Sequence, residues 1–278
     1  DHRLYSAKRH GRDRIGIFSK KNRKINTPTE EIIGREEEIA RINSVISQKT
    51  DKGKRTICIS GEIGVGKTRL VHKIADDTTN KDYIYLESNL SATTKCIPYY
   101  PFREIIRNNV RKNSRGCITG IPRAFQIELI KIVPELSDEL VEMDESILMI
   151  DKFRLFEGVK RFFEQQASTA PLLICLDNIH WADNGSLELF SYLIRSLSES
   201  PVFFFFIYRI EEARDDVFQN ILRSMERERL YELIKLEPLN VADAARMISF
   251  IADAFPSPDL TSYVHKETGG NPFFIEEL

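Results

Sequence analysis

GEIGVGKTRL, residues 61–70, lies between the apolar run RTICIS (55–60) and the helical pattern VHKIADD (71–77). Gly61, Gly64 and Gly66 allow the backbone to wrap its own N–H groups around anionic oxygens, where side chains would block the turn or the close approach. A helix starting near Lys67 aims its unpaired amides at the same point. Lys67 reaches terminal phosphates as a mobile ammonium group, and Thr68 offers a hydroxyl to Mg²⁺. Glu62, Val65 and Arg69 complete the set placed around the loop. An ordinary glycine turn does not explain why a lysine and a hydroxyl follow it. The spacing GxxxxGK[ST] is complete, and it falls between a strand and a helix as the motif requires. The stretch predicts binding of ATP or ADP with Mg²⁺ as cofactor, and an α/β P-loop NTPase fold.

Working outward, the pattern alternates. IIGREEEIARINSVISQ (32–48) carries Ile39, Ile42, Val45 and Ile46 at helical spacing, with acids in its first turn. RTICIS, YIYLES (83–88), LLICLD (172–177), VFFFFIYR (202–209) and LYELIKLEP read as strands, and helices separate them. Such alternation predicts a five-stranded parallel sheet flanked by helices. Residues 90–171 read as a mostly helical insertion. It holds helices near 99–113, one that Pro122 opens, and one over 147–167 with Phe153, Phe156, Val159 and Phe163 facing inward. After Leu239 the pattern is purely helical, which predicts a domain boundary there and a partial helical lid over 240–278. Residues 1–10 suggest a short helix, GRDRIGIF a turn and strand, and 19–31 a basic linker. The chain begins at Asp1 and stops within a helical pattern, so flanking segments are expected on both sides.

Composition narrows the class. Apolar residues make up 42% and charged residues 29%, as in a water-soluble globular protein. The longest apolar run is strand-sized, so no membrane span is predicted. Net charge is −2, which carries no nucleic-acid signature. Residues 1–26 hold nine Lys/Arg against two Asp; a solvated linker explains that stretch more simply than phosphate or membrane contact. Cys58, Cys96, Cys117 and Cys175 form no CxxC pair, consistent with inert thiols in a reducing, cytoplasmic setting.

Turnover needs more than a phosphate loop. Asp177, ending an apolar strand, is placed to hold Mg²⁺ through water, so Thr68 and Asp177 form the expected metal pair. Position 178 is Asn, which aligns a water but accepts no proton. Asp183 either poises the attacking water or caps the following helix. Arg209 ends the fourth strand, where tips converge on a ligand; its fork of donors suits a γ-phosphate, and a salt bridge to Glu211 or Glu212 is the alternative. His180 and Trp181 read mainly as packing residues.

IIGREEEIARI, GEIGVGKTRL, LLICLDNIHWADNGSLELFSYL, FFFFIYRIEE, ELIKLEPL and TGGNPFFIEEL occur in that order. Together they resemble the AAA+-related signal-transduction ATPases of the STAND class over about residues 32–278. The resemblance implies that Ile33, Gly34 and Arg35 line an adenine pocket and that Pro272 packs on the base. It matches Lys67 and Thr68 to the phosphate-loop pair, Asp177 to the Walker B acid and Arg209 to the arginine of the sensor strand. It also implies a bacterial signalling switch in which ADP holds a lid closed and ATP permits opening. The family commonly has a second acid where this chain has Asn178, so slow hydrolysis is expected. DHRLYSAKRHGRDRIGIF is similar to the closing segment of GGDEF diguanylate cyclase domains, with an ALYxAKxxGRNR-like pattern; no cyclase loop accompanies it, so no cyclase activity is expected. Expected partners are intramolecular: a GGDEF domain and a C-terminal sensor or repeat domain, with self-association open. Competing readings are a motor-type remodeller or loader, a scaffold without turnover, and a nucleotide kinase.

Overall fold

The computed structural model describes residues 32–47, 55–79, 82–113, 118–136, 151–213 and 215–278. Chain contacts separate residues 1–31 from 32–278, and the fold set out below is that of the second unit. The expected GGDEF-like segment (1–18), the linker (19–31) and Cys117 lie outside the described residues, as does the start of the helix expected over 147–167.

Helix α1 (Glu36–Ser47) precedes strand β1 (Thr56–Gly61), helix α2 (Lys67–Thr79) and strand β2 (Ile84–Asn89). Helices α3 (Tyr100–Asn113), α4 (Arg123–Ile132) and α5 (Lys152–Ala167) follow. Next come β3 (Leu172–Asp177), α6 (Asn184–Ser196), β4 (Val202–Arg209), α7 (Asp216–Arg227) and β5 (Glu232–Leu236). The chain ends with α8 (Val241–Ala252), α9 (Pro258–Thr268) and α10 (Pro272–Glu277). All strand pairings are parallel, in the order β2-β3-β4-β1-β5. The expected five-stranded α/β fold is therefore the one formed.

Central strands without polar alternation need cover on both faces, and the packing supplies it. Leu172, Ile174, Leu176, Phe204 and Phe206 join a core with α3, α4, α5, α6 and α7. Leu173, Cys175, Phe203, Phe205 and Ile207 point the other way, to α1 and α2. Burying each phenylalanine of β4 contributes about 1.5–3 kcal/mol, so VFFFFIYR anchors both layers at once. β4 lies between β1 and β3, which brings the ends of β1, β3 and β4 together at one edge.

Of two expectations about the insertion, the one for Pro122 holds and the one for Phe153 changes. Pro122 stands just before α4, in an extended conformation at its N-cap, and Arg123 begins the helix. Phe153 is 84% exposed, against the inward position expected. The buried stripe of α5 runs through Leu155, Phe156, Val159, Phe162 and Phe163. At 100° per residue, Phe153 lies about 120° from the centre of that stripe. Among the described residues, no helix is long and apolar enough to cross a membrane.

Candidate functional site

A cavity of about 370 Å³ opens at the carboxyl edge of the sheet. Gly64, Gly66, Lys67, Thr68 and Arg69 line one side, Asn89, Asp177, Asn178 and Arg209 another, and Pro272, Phe273 and Glu276 a third. Each group owes its position to where an element stops. Lys67 opens α2. Asn89, Asp177 and Arg209 are the last residues of β2, β3 and β4.

The loop between β1 and α2 closes on itself. The Lys67 ammonium donates to the carbonyls of Gly61 at 2.7 Å and Glu62 at 2.6 Å. Lys67 is only 7% exposed. Burial lowers its pKa from the usual lysine value, and the nearby positive charge of Arg209 adds to that; Glu211 and Asp177 oppose it. The Thr68 hydroxyl donates to Asp177 Oδ2 at 2.8 Å, so the two groups expected to share a cation stand in contact. Burial raises the Asp177 carboxyl above its usual range, and the Thr68 hydrogen bond offsets part of that.

The glycines make room for a ligand. Gly66 has φ +94°, and nothing would meet a Cβ built there within 4 Å: a side chain would project into the open cradle. The first intrahelical bond of α2 is Leu70 N–H to the Gly66 carbonyl, at 2.9 Å, so the amides before it have no partner within the helix. Open cradle, unpaired amides, buried ammonium and a hydroxyl–carboxylate pair fit a polyphosphate with a divalent cation.

The helical segment after β5 reaches this loop directly. Asn271 Nδ2 donates to the Ile63 carbonyl at 2.8 Å, and Phe273 N–H to the Gly64 carbonyl at 3.3 Å. Gly64 has φ +83°, and a Cβ there would stand 2.7 Å from Asn271 Oδ1. Arg69 pairs with Glu276 at 2.7 Å. Arg35, 6% exposed, donates to the Val65 carbonyl at 3.2 Å and the Glu237 carbonyl at 2.6 Å, tying the loop to the exit of β5.

Some predicted residues stand elsewhere. Ile33 packs with Leu239, just before α8, and with Ala244 and Met247 of α8, and Gly34 abuts Asp243. Neither they nor Arg35 line the cavity. Val65 is buried in the core and Glu62 is exposed. Asp183 caps α6, accepting from Ser186 N–H at 3.1 Å, from the Ser186 hydroxyl and from Tyr99 N–H at 3.1 Å. Its helix-cap alternative is the geometry found, and it does not line the cavity. Asn178 adopts the left-handed conformation at φ 58° and donates to Asn89 Oδ1 at 3.0 Å. Arg209 lines the cavity and also pairs with Glu212 at 2.7 Å.

Sequence reasoning missed Asn89, Ile63, Phe273 and Glu276. Asn89 had one local signal, a polar residue directly after the expected strand 83–88, but its place beside Asp177 comes from the strand register. Ile63 lies within the quoted glycine loop, while Phe273 and Glu276 depend on how the terminal helices dock.

The chain matches known proteins in family and in fold. The family model described as AAA ATPase domain matches residues 31–206, more than half of the chain. Among solved structures, the chain resembles a Walker-type ATPase of Pyrococcus abyssi, with a TM-score of 0.56 and 12% identity over 89% of this chain and 67% of that one. It also resembles AMPPCP-bound DnaA from Aquifex aeolicus, with a TM-score of 0.50 and 13% identity over 88% and 61%. A Signal Transduction ATPase with Numerous Domains carrying a tetratricopeptide repeat sensor, from Pyrococcus horikoshii, matches at a TM-score of 0.47 and 14% identity over 87% and 29%. The chain thus spans from about three-tenths to two-thirds of the length of these proteins. No curated protein matches it in sequence.

Proposed function

We propose a function from one premise: the chain belongs to the AAA ATPase domain family. In our reading it binds ATP or ADP with Mg²⁺ in the cavity between the sheet edge and the terminal helices, and works as a nucleotide-dependent regulatory switch with slow hydrolysis. The observation that carries this is the double contact of the phosphate loop. Lys67 and Thr68 face the cavity from one side, while Asn271 and Phe273 hold the Ile63 and Gly64 carbonyls from the other.

In this reading the glycine loop and the amides opening α2 cradle the phosphates. Lys67 exchanges its two carbonyl partners for phosphate oxygens. Thr68 and Asp177 hold Mg²⁺, which neutralises phosphate charge and keeps the terminal group oriented. Arg209 reads the γ-phosphate. Pro272 and Phe273 carry the nucleotide's presence to the segment after residue 239, which we take as a lid. A ligand touching both sheet edge and lid biases the lid's position by its differential affinity for the two arrangements.

Slow turnover follows from the acids available. Among the described residues, the carboxylates lining the cavity are Asp177 and Glu276. Asp177 is engaged by Thr68 and assigned to the metal, and Glu276 is paired with Arg69. Asn178 aligns a water without taking its proton, and Asp183 is occupied as a cap. The motif series supports the STAND-class reading, and the pattern over residues 1–18 supports a GGDEF-like neighbour in a larger bacterial signalling protein.

The test is native mass spectrometry of the purified chain, with Asp177→Ala alongside. Retained ADP in the first and its loss in the second is the expected result. Rapid steady-state ATP turnover would replace the switch with a motor-type ATPase. Absence of any nucleotide binding by calorimetry would remove the assignment.

A further inference from the structure

Arg209 is not the end of its chain of contacts. Its guanidinium donates to Glu212 Oε1 at 2.7 Å. The second oxygen of Glu212 accepts from His180 Nε2 at 3.0 Å and from Trp181 Nε1 at 3.2 Å. His180 and Trp181 sit on the single helical turn Ile179–Trp181, immediately after Asp177 and Asn178. Glu212 therefore bridges the exit of β3, which bears the metal-site acid, and the exit of β4, which bears the cavity arginine.

The far side of the bridge is held firmly. His180 is 4% exposed. Facing a carboxylate, its Nε2 must carry the proton, and Nδ1 is buried without a hydrogen-bond partner. The ring is thus committed to Glu212 alone. The Glu212–Arg209 contact is the more solvent-exposed one, because about a third of the Arg209 side chain is open while the His180 ring is enclosed. One oxygen is anchored to the protein, and the other holds a cation at the cavity wall.

We propose that Glu212 is a positioning residue that holds Arg209 in a resting place and thereby sets how strongly the site prefers ATP over ADP. The inference rests on the reading of this cavity as the nucleotide site. A γ-phosphate competes with Glu212 for Arg209; an ADP, lacking that group, leaves the pair intact. Drawing Arg209 from Glu212 to a γ-phosphate breaks an ion pair that binding ADP leaves intact. This competition lowers ATP affinity selectively, and removing the Glu212 charge raises it. Because the anchor is on His180 and Trp181, movement of Arg209 toward phosphate also releases a constraint on the turn that follows Asn178.

The test is calorimetric titration of MgATP and MgADP into the wild type, Glu212→Gln, Arg209→Ala and the double variant. Glu212→Gln is expected to tighten ATP roughly fivefold and to leave ADP within about twofold, the scale of a partly exposed ion pair. In the Arg209→Ala background the same substitution should change neither affinity, since there is no arginine to release. An unchanged ATP-to-ADP ratio in Glu212→Gln, an equal gain for both nucleotides, or a gain that persists without Arg209 would each overturn the inference while leaving the nucleotide site standing. If the wild type binds neither nucleotide, the site reading fails and this inference with it. Should Glu212→Gln not fold, Glu212→Ala supports the same comparison.

Discussion

Lys67 and Asp177 show how a ligand site can be assembled at the expense of the ligand-free fold. Lys67 is buried and donates to two backbone carbonyls, and in the proposed nucleotide site those bonds are traded for phosphate. A hydrogen bond to a charged group is worth about 1.5–3 kcal/mol. Lys67→Ala is therefore expected to weaken ATP at least tenfold and to abolish binding measurable by calorimetry; near-normal affinity would count against the site. Asp177 gives a prediction of opposite sign for stability. Burial raises its folded-state pKa, so its contribution to stability is fully present below the unfolded value near 3.9 and is lost as pH rises through the raised folded one. Asp177→Asn removes that loss and keeps an oxygen for Thr68. The variant should melt higher than the wild type at neutral pH without nucleotide, with the difference shrinking toward pH 4. It should also lose the Mg²⁺ dependence of ATP binding. A lower melting temperature at pH 7 would show that the carboxylate is not a cost to the fold.

At the scale of elements, the terminal helices meet the phosphate loop through a short turn. Asn271 caps α10 by accepting from Phe273 N–H at 3.1 Å, and its amide grips the Ile63 carbonyl. One side chain therefore orders the helix start and its docking together. Losing an N-cap costs about 0.5–2 kcal/mol. Asn271→Ala should raise amide hydrogen exchange in α10 and in residues 63–66 while leaving β3 and β4 protected; uniform protection would show that the turn does not latch the loop. Gly64→Ala attacks the same contact from the other side, because the added carbon meets Asn271 Oδ1 and Phe273 Cβ. We expect it to loosen α10 as Asn271→Ala does, with the sheet intact by circular dichroism. Helix α5 illustrates the opposite case. Phe153 fits a three-residue spacing with Phe156, yet it lies off the buried stripe, because the stripe is set by which face meets the sheet.

Across the whole molecule, the two faces of the sheet decide what solvent reaches. Cys58 and Cys175 sit at 1% and 2% exposure on opposite faces of the sheet, while Cys96 is exposed. Burial raises the pKa of both core thiols, and the thiolate is the reactive form. A thiol reagent with peptide mapping should label Cys96 at once and the two core cysteines only on global unfolding; early labelling of Cys175 would contradict the packing of β3. The strands, the phosphate loop and the tips bearing Asp177 and Arg209 were legible in the sequence. Each is written in local terms: runs of apolar residues long enough for a strand, fixed glycine spacing, and a polar residue where an apolar run stops. The order β2-β3-β4-β1-β5, Asn89 beside Asp177, the contact of Tyr99 with Asp183, and the docking of Asn271 and Glu276 on the loop were decided by tertiary structure alone. They join residues as many as 208 positions apart. Nothing in a local pattern specifies such pairs; they follow from which faces bury the most apolar surface and which polar groups that burial leaves to be satisfied.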